Sequence, residues 1–145
     1  MEKTEAKETG PHEVRLEGWI SCAPYERLLQ MEIVEAAGGE ATLRIPFLYD
    51  FAQGAGLMHG GALVSLADTA VAMAIKSKLP PGTHFATIAM ETRFLLPVKK
   101  GTVTAVARVA SFQEREIKGE ATLYDDEQRP VMQFHSTFKI ARSSR

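Results

Sequence analysis

Sixteen residues, Gly60 to Ile75, limit what this chain can become more than any other segment. GGALVSLADTAVAMAI is apolar on nearly every side of a helical projection, interrupted only by Ser65, Asp68 and Thr69. No proline falls between His59 and Leu79, two glycines stand at the front, and Pro80 with Pro81 ends the segment, so one long helix is expected over about 59–78. Lys76 and Lys78 suit the negative end of its dipole. The apolar run is shorter than the roughly 20 residues a bilayer span takes. A helix lying on one face of a sheet shows a polar outer stripe. This one must be covered on several sides, in part by a strongly curved sheet and for the rest by a second subunit.

The remainder reads as strand. LLQMEIVEAAGGEATLRIPF is two β-like runs joined at Gly38 and Gly39, a hairpin signal weakened by the helix formers Glu35, Ala36 and Ala37. HFATIAMETRFLLPV puts Ile88, Met90, Phe94 and Leu96 on one parity, with Thr87 opposite, and Lys99, Lys100 and Gly101 make a turn. TVTAVARVA alternates Val103, Ala105, Ala107 and Val109 against polar neighbours. A fifth strand falls near Lys118 to Tyr124, with a turn at Asp125 to Arg129. The last strand sets Met132, Phe134, Phe138 and Ile140 against Gln133, His135, Thr137 and Lys139. The expected class is α+β: a hairpin, a long helix, then strands in meander order, forming a curved antiparallel sheet of five to six strands wrapped around one central helix.

At 145 residues the length prior gives one domain, taken as 13–145, preceded by a mixed-charge tail at 1–12 (MEKTEAKETGPH) with no apolar core of the kind a targeting signal carries. Seventeen basic side chains against 18 acidic leave a net charge of -1, which offers no general pull toward nucleic acid or an anionic membrane. Cys22 is the single cysteine, so an internal disulfide is ruled out and a reducing, cytoplasmic compartment is expected. His12, His84 and His135 form no metal-binding spacing, and Ser65 lies inside the helix without a Gly-x-Ser-x-Gly elbow.

The set Gln53, His59, Gly60, Gly61 and Asp68 resembles the hotdog-fold acyl-CoA thioesterases, in the branch of the phenylacetate-degradation and 4-hydroxybenzoyl-CoA enzymes. Gln53 stands fifteen residues before the acid, as an Asn or Gln does in that family, and FLLPVKKG at 94–101 resembles its strand end. The resemblance spans roughly residues 25–140. It implies acyl-CoA hydrolysis without metal or cofactor, coenzyme A entering only as part of the substrate. It also implies homodimers paired into homotetramers, and a hydroxyl from the next strand helping to place water, for which Thr87 is the match.

The residues carry an argument of their own. Thioester hydrolysis needs donors for a developing oxyanion and an acid–base group or nucleophile to deliver oxygen. N–H groups at a helix start lack intrahelical partners and lie at the positive end of the dipole, so the Gly60 N–H is the expected oxyanion donor. The Gln53 amide would be a second contact. Asp68 would act as general base or as nucleophile. His59 would orient the carbonyl or stabilise the departing thiolate, and Leu57, Met58, Gly61, Leu63 and Val64 would line the substrate pocket. Gly60 and Asp68 are eight residues apart, about 12 Å along one helix at ~1.5 Å per residue. One carbonyl cannot be near both, so a shared reaction requires two subunits with antiparallel helices across a two-fold axis.

Blander readings stand beside each assignment. Asp68 can be a structural acid, His-Gly-Gly a plain helix junction, Gln53 a loop residue, Thr87 an ordinary strand threonine, and Lys99, Lys100 and Arg93 solvated charges rather than phosphate contacts. Two other functions compete: a hotdog hydratase, whose histidine five residues after the aspartate is here Met73, and a non-catalytic acyl-CoA-binding or regulatory protein, which would need no acid at position 68.

Overall fold

The computed structural model describes residues 8–142; residues 1–7 of the expected tail lie outside them, and residues 8–12 are exposed. The elements run α1 (Pro24–Leu28), β1 (Glu32–Ala37), β2 (Glu40–Pro46), a single 3-10 turn (Tyr49–Phe51), α2 (Gly60–Lys76), β3 (Phe85–Phe94), β4 (Thr102–Gln113), β5 (Glu116–Tyr124) and β6 (Pro130–Ile140). All strand pairs are antiparallel, in the order β1-β2-β4-β5-β6-β3. The sheet wraps one long helix, which is the hotdog arrangement.

The Gly38–Gly39 hairpin forms as expected. Ala37 pairs with Glu40, and both glycines have positive φ (+62° and +86°), the conformation that a two-residue hairpin turn needs. The inward parity also holds on two strands: Val103, Ala105 and Ala107, then Met132, Phe134 and Phe138 are buried, together with Leu123 of β5 and Leu43 and Ile45 of β2. The Asp125–Arg129 turn closes with Asp125 N–H donating to Arg129 O and the Asp125 carboxylate accepting from Glu127 and Arg129 N–H. Those bonds hold the Asp125 carboxyl below the usual carboxylate range.

The meander expectation is wrong for β3. That strand pairs with β6 at one edge of the sheet, while β4 pairs with β2. Residues 95–101 carry the chain across: Leu95 and Leu96 N–H donate to Val131 O, Met58 N–H to Val98 O, and Phe47 N–H to Gly101 O. These bonds satisfy a connection too long for a tight turn. The parity of β3 holds for Met90 and Phe94 but breaks at Thr87. A bulge between Thr87 and Ala89 shifts the register, so Thr87, Met90, Thr92 and Phe94 lie opposite Phe138, Ser136, Phe134 and Met132 on the inner face. Inner-facing does not mean covered. Met90 and Phe94 are 46% and 55% exposed, because β3 lies at the sheet edge beyond the strands that carry most of the helix packing.

The helix is one turn or less shorter than the expected 59–78, since His59 and Ser77 are its caps. Leu63, Leu66, Ala67, Ala70, Val71, Ala74 and Ile75 are buried against the sheet. On β5, Gly119 lets the helix come close: a Cβ there would overlap the Val71 side chain. Gly61, Val64, Ser65, Asp68, Thr69 and Ala72 form a stripe that is half-buried or exposed. The segment before β1, not anticipated as structured, covers part of that outer side. Trp19 Nε1 donates to Lys76 O and Leu79 O (2.9 and 3.2 Å), and Lys76 Nζ returns a bond to Trp19 O. No described helix is long and apolar enough to cross a membrane.

Candidate active site

The site is built on the first three turns of α2. His59 is the N-cap, extended at φ −63°, ψ 132°, and its Nδ1 accepts from Gly61 N–H at 2.8 Å. Ala62 and Leu63 N–H both donate to His59 O. Among the described residues the Gly60 N–H has no acceptor, which leaves one unpaired donor at the positive end of the helix. Each glycine makes room for a ring. A Cβ on Gly61 would sit 2.9 Å from His59 Nδ1, and one on Gly60 would sit 3.3 Å from the Phe94 ring.

Gly60 lines an apolar cleft of about 370 Å³ together with Gln53, Leu57, Met58, Leu63 and the segment Phe94–Val98. Gln53 is fixed in the preceding loop. Its N–H donates to Leu57 O, its carbonyl accepts from Gly56 N–H, and its side-chain Oε1 accepts from Ala55 N–H. A cleft of this composition, with one free N–H and one amide at its wall, suits an apolar acyl group carrying a carbonyl.

Asp68 lies elsewhere, two turns further along the open stripe of α2. Thr87 Oγ1 donates to Asp68 Oδ1 at 2.9 Å. The β3 bulge turns this threonine to the helix side, which simple alternation does not predict. Burial pushes the Asp68 carboxyl above its ordinary range; the Thr87 bond opposes this, and the charge of Glu26 on α1 adds to it. Of the expected residues, the fold therefore brings Gln53, Leu57, Met58, Gly60 and Leu63 to one cleft and Asp68 and Thr87 to another place. Gly61 and Val64 lie between them on the stripe. His59 is exposed at the helix start and caps it.

Three contributors were not read from the sequence. Phe94–Val98 reads in the sequence as a strand end, whereas the structure lays it beside the loop before α2, where Met58 N–H donates to Val98 O. Tyr25 and Ser65 are joined by a 2.8 Å hydrogen bond next to Asp68. The signal for α1 was present in APYE: proline at the first helical position, and Glu26, whose Oε1 accepts from Ala23 N–H at 2.7 Å.

Comparison with known proteins agrees with this fold. Residues 55–132 match the thioesterase superfamily. A Halobacterium salinarum protein provisionally described as an esterase is 31% identical over 124 residues, covering 79% of this chain and 82% of that one. A conserved Pseudomonas aeruginosa protein superposes with a TM-score of 0.79 at 28% identity, over 83% of this chain and 95% of its own. The E. coli PaaI protein from the phenylacetic acid degradation operon does so with a TM-score of 0.75 at 26% identity, over 83% and 86%. With its unpaired helix-start donor, apolar cleft and stripe-borne carboxylate on a sheet wrapped around one helix, the chain belongs to the thioesterase superfamily and is a thioester hydrolase of hotdog fold.

Proposed function

We propose that this protein hydrolyses acyl-CoA thioesters to the free acid and coenzyme A, in a site shared between two copies of the chain. The observation that carries the reading is the Asp68 carboxylate, held by Thr87 on the half-buried stripe of α2, two turns from the unpaired Gly60 N–H. The acyl carbonyl accepts from Gly60 N–H, with the Gln53 amide as a second contact, and the acyl group lies along Leu57, Met58 and Leu63. Gly61 and Val64 complete the wall where the copies meet. Asp68 of the other copy takes a proton from water as the water oxygen adds to the carbonyl carbon. Collapse of the tetrahedral species then breaks the C–S bond and releases thiolate, which regains the proton. Attack by the carboxylate itself, through a mixed anhydride hydrolysed by water, is the other course. No metal or cofactor takes part in either.

The dimer has support in the fold. Met90 and Phe94 face inward from an edge strand yet stay uncovered, and the stripe of α2 that carries Gly61, Val64 and Ala72 between Ser65, Asp68 and Thr69 is half-buried or exposed. A second copy would cover both. Pairing of dimers into a homotetramer and a cytoplasmic location belong to the same reading. The operon named for the PaaI relative adds phenylacetyl-CoA to the candidate substrates beside hydroxybenzoyl and fatty acyl thioesters.

The test is thiol release from short aliphatic, long aliphatic, phenylacetyl and hydroxybenzoyl CoA, with wild type and Asp68→Asn side by side. The expected result is turnover that falls by at least about a hundredfold in the variant, the scale of a lost general acid–base group. Silence of the folded wild type across the panel points to a binding role or a carrier-protein thioester. Wild-type turnover in Asp68→Asn removes the catalytic assignment.

A further inference from the structure

Two hydrogen-bond chains end on the same residue, Gly61. On one side, His59 Nδ1 accepts the Gly61 N–H at 2.8 Å. On the other, Ser65 Oγ donates to Gly61 O at 2.8 Å, and Tyr25 Oη lies 2.8 Å from Ser65 Oγ. A serine hydroxyl carries one hydrogen. With that hydrogen spent on Gly61 O, the Tyr25 phenol is the donor to Ser65. The result is a line from α1 through Tyr25, Ser65 and Gly61 to the His59 ring.

We infer that Tyr25 and His59 are positioning residues that lock the first turn of α2 from both polar groups of Gly61, leaving the Gly60 N–H as the single aimed donor. The cap also explains why His-Gly-Gly has these residues in this order. An N-cap acceptor two residues before Gly61 satisfies one of the four orphan N–H groups of a helix start, and the imidazole needs the space that a Cβ at position 61 would fill. Because Nδ1 accepts, the neutral ring carries its hydrogen on Nε2. In this role the imidazole exchanges no proton with substrate. Tyr25 adds what a cap cannot: it ties the turn to an element outside the helix, so the Gly60 N–H keeps its direction when a substrate pulls on it. An oxyanion donor works only when held in place before the charge develops. The inference rests on the thioesterase reading of Gly60.

The experiment takes the full chain, labelled for amide exchange, and compares wild type, Tyr25→Phe, His59→Ala and His59→Asn in the best acyl-CoA of the panel. Tyr25→Phe removes one hydroxyl. It is expected to lower kcat roughly tenfold at nearly constant KM, and to speed exchange at Gly61 and Ala62. His59→Ala should do the same more strongly, on the order of a hundredfold in kcat. His59→Asn puts an oxygen acceptor at the cap and should recover both exchange protection and most of kcat. A folded Tyr25→Phe with unchanged kcat overturns the inference. So does a His59→Asn that regains slow exchange but stays as inactive as His59→Ala, since the imidazole would then act in the chemistry itself. Fast wild-type exchange with turnover intact also overturns it. Slow wild-type exchange, freed in Tyr25→Phe, in a protein that turns over no thioester would instead sink the thioesterase reading and leave the lock as a structural feature only.

Discussion

Asp68 is a residue whose fold and chemistry pull in opposite directions. Its carboxyl is raised by burial first, with Glu26 adding to the rise and Thr87 opposing it. For an acid whose folded pKa lies above its unfolded one, ionisation costs stability. The cost is absent below the unfolded pKa, grows through the window between the two values, and is full above the folded one. Asp68→Asn should therefore raise the melting temperature at neutral pH, with the difference fading as pH falls below the carboxylate range. Equal melting temperatures at neutral pH would count against a strained carboxylate. The same shift places the acid limb of kcat/KM above the range of an ordinary aspartate, because activity needs the ionised form. Thr87→Ala removes the bond that favours that form, so the limb should move to higher pH, while Thr87→Ser leaves it in place. A pH–rate profile of the three proteins decides this. Asp68 and its spacing from Gly60 and Gln53 were legible because they are local chemistry written along one chain. Thr87 was found only through resemblance, since the β3 bulge that aims it is invisible to alternation.

At the scale of elements, the contact between α2 and the sheet is set by one missing side chain. Gly119 faces Val71 with no room for a Cβ, so the helix seats against β5 closer than any larger residue permits. Gly119→Ala overpacks this contact and should cost about 1–3 kcal/mol, seen as a melting temperature lower by roughly 3–10 °C. Adding Val71→Ala should restore part of it, and no recovery would show that the strain lies against the Arg108 carbonyl instead. The helix, the Gly38–Gly39 hairpin and the presence of six strands followed from periodicity and turn residues, while the place of β3 in the sheet did not. Helix α1 did not, because five residues show no period. Trp19, bonded to Lys76 O and Leu79 O at the end of α2, lies in a stretch with neither alternation nor a helical face.

For the whole molecule, the two-copy site makes a metric prediction. If Gly60 of one helix meets Asp68 of an antiparallel neighbour, the two-fold axis passes beside the residue midway between them, Val64. Val64→Cys in a Cys22→Ser background should give a covalent dimer with a short thiol cross-linker, while Lys78→Cys at the helix end should not. Cross-linking at position 78 but not 64 would reject this register. The sequence by itself determined a buried helix, a mostly alternating sheet around it, a helix-start donor and an acid too far along the same helix to serve it. These follow from nearest-neighbour geometry, in which spacing along the chain is distance in space. Only the tertiary structure decided that β3 leaves the meander for the edge beside β6, that Met90 and Phe94 face inward yet lie bare, and that Tyr25 reaches Ser65. Each of those depends on which segments meet after the chain has crossed the sheet, and long-range pairing is chosen by the packing of the whole rather than by any local pattern.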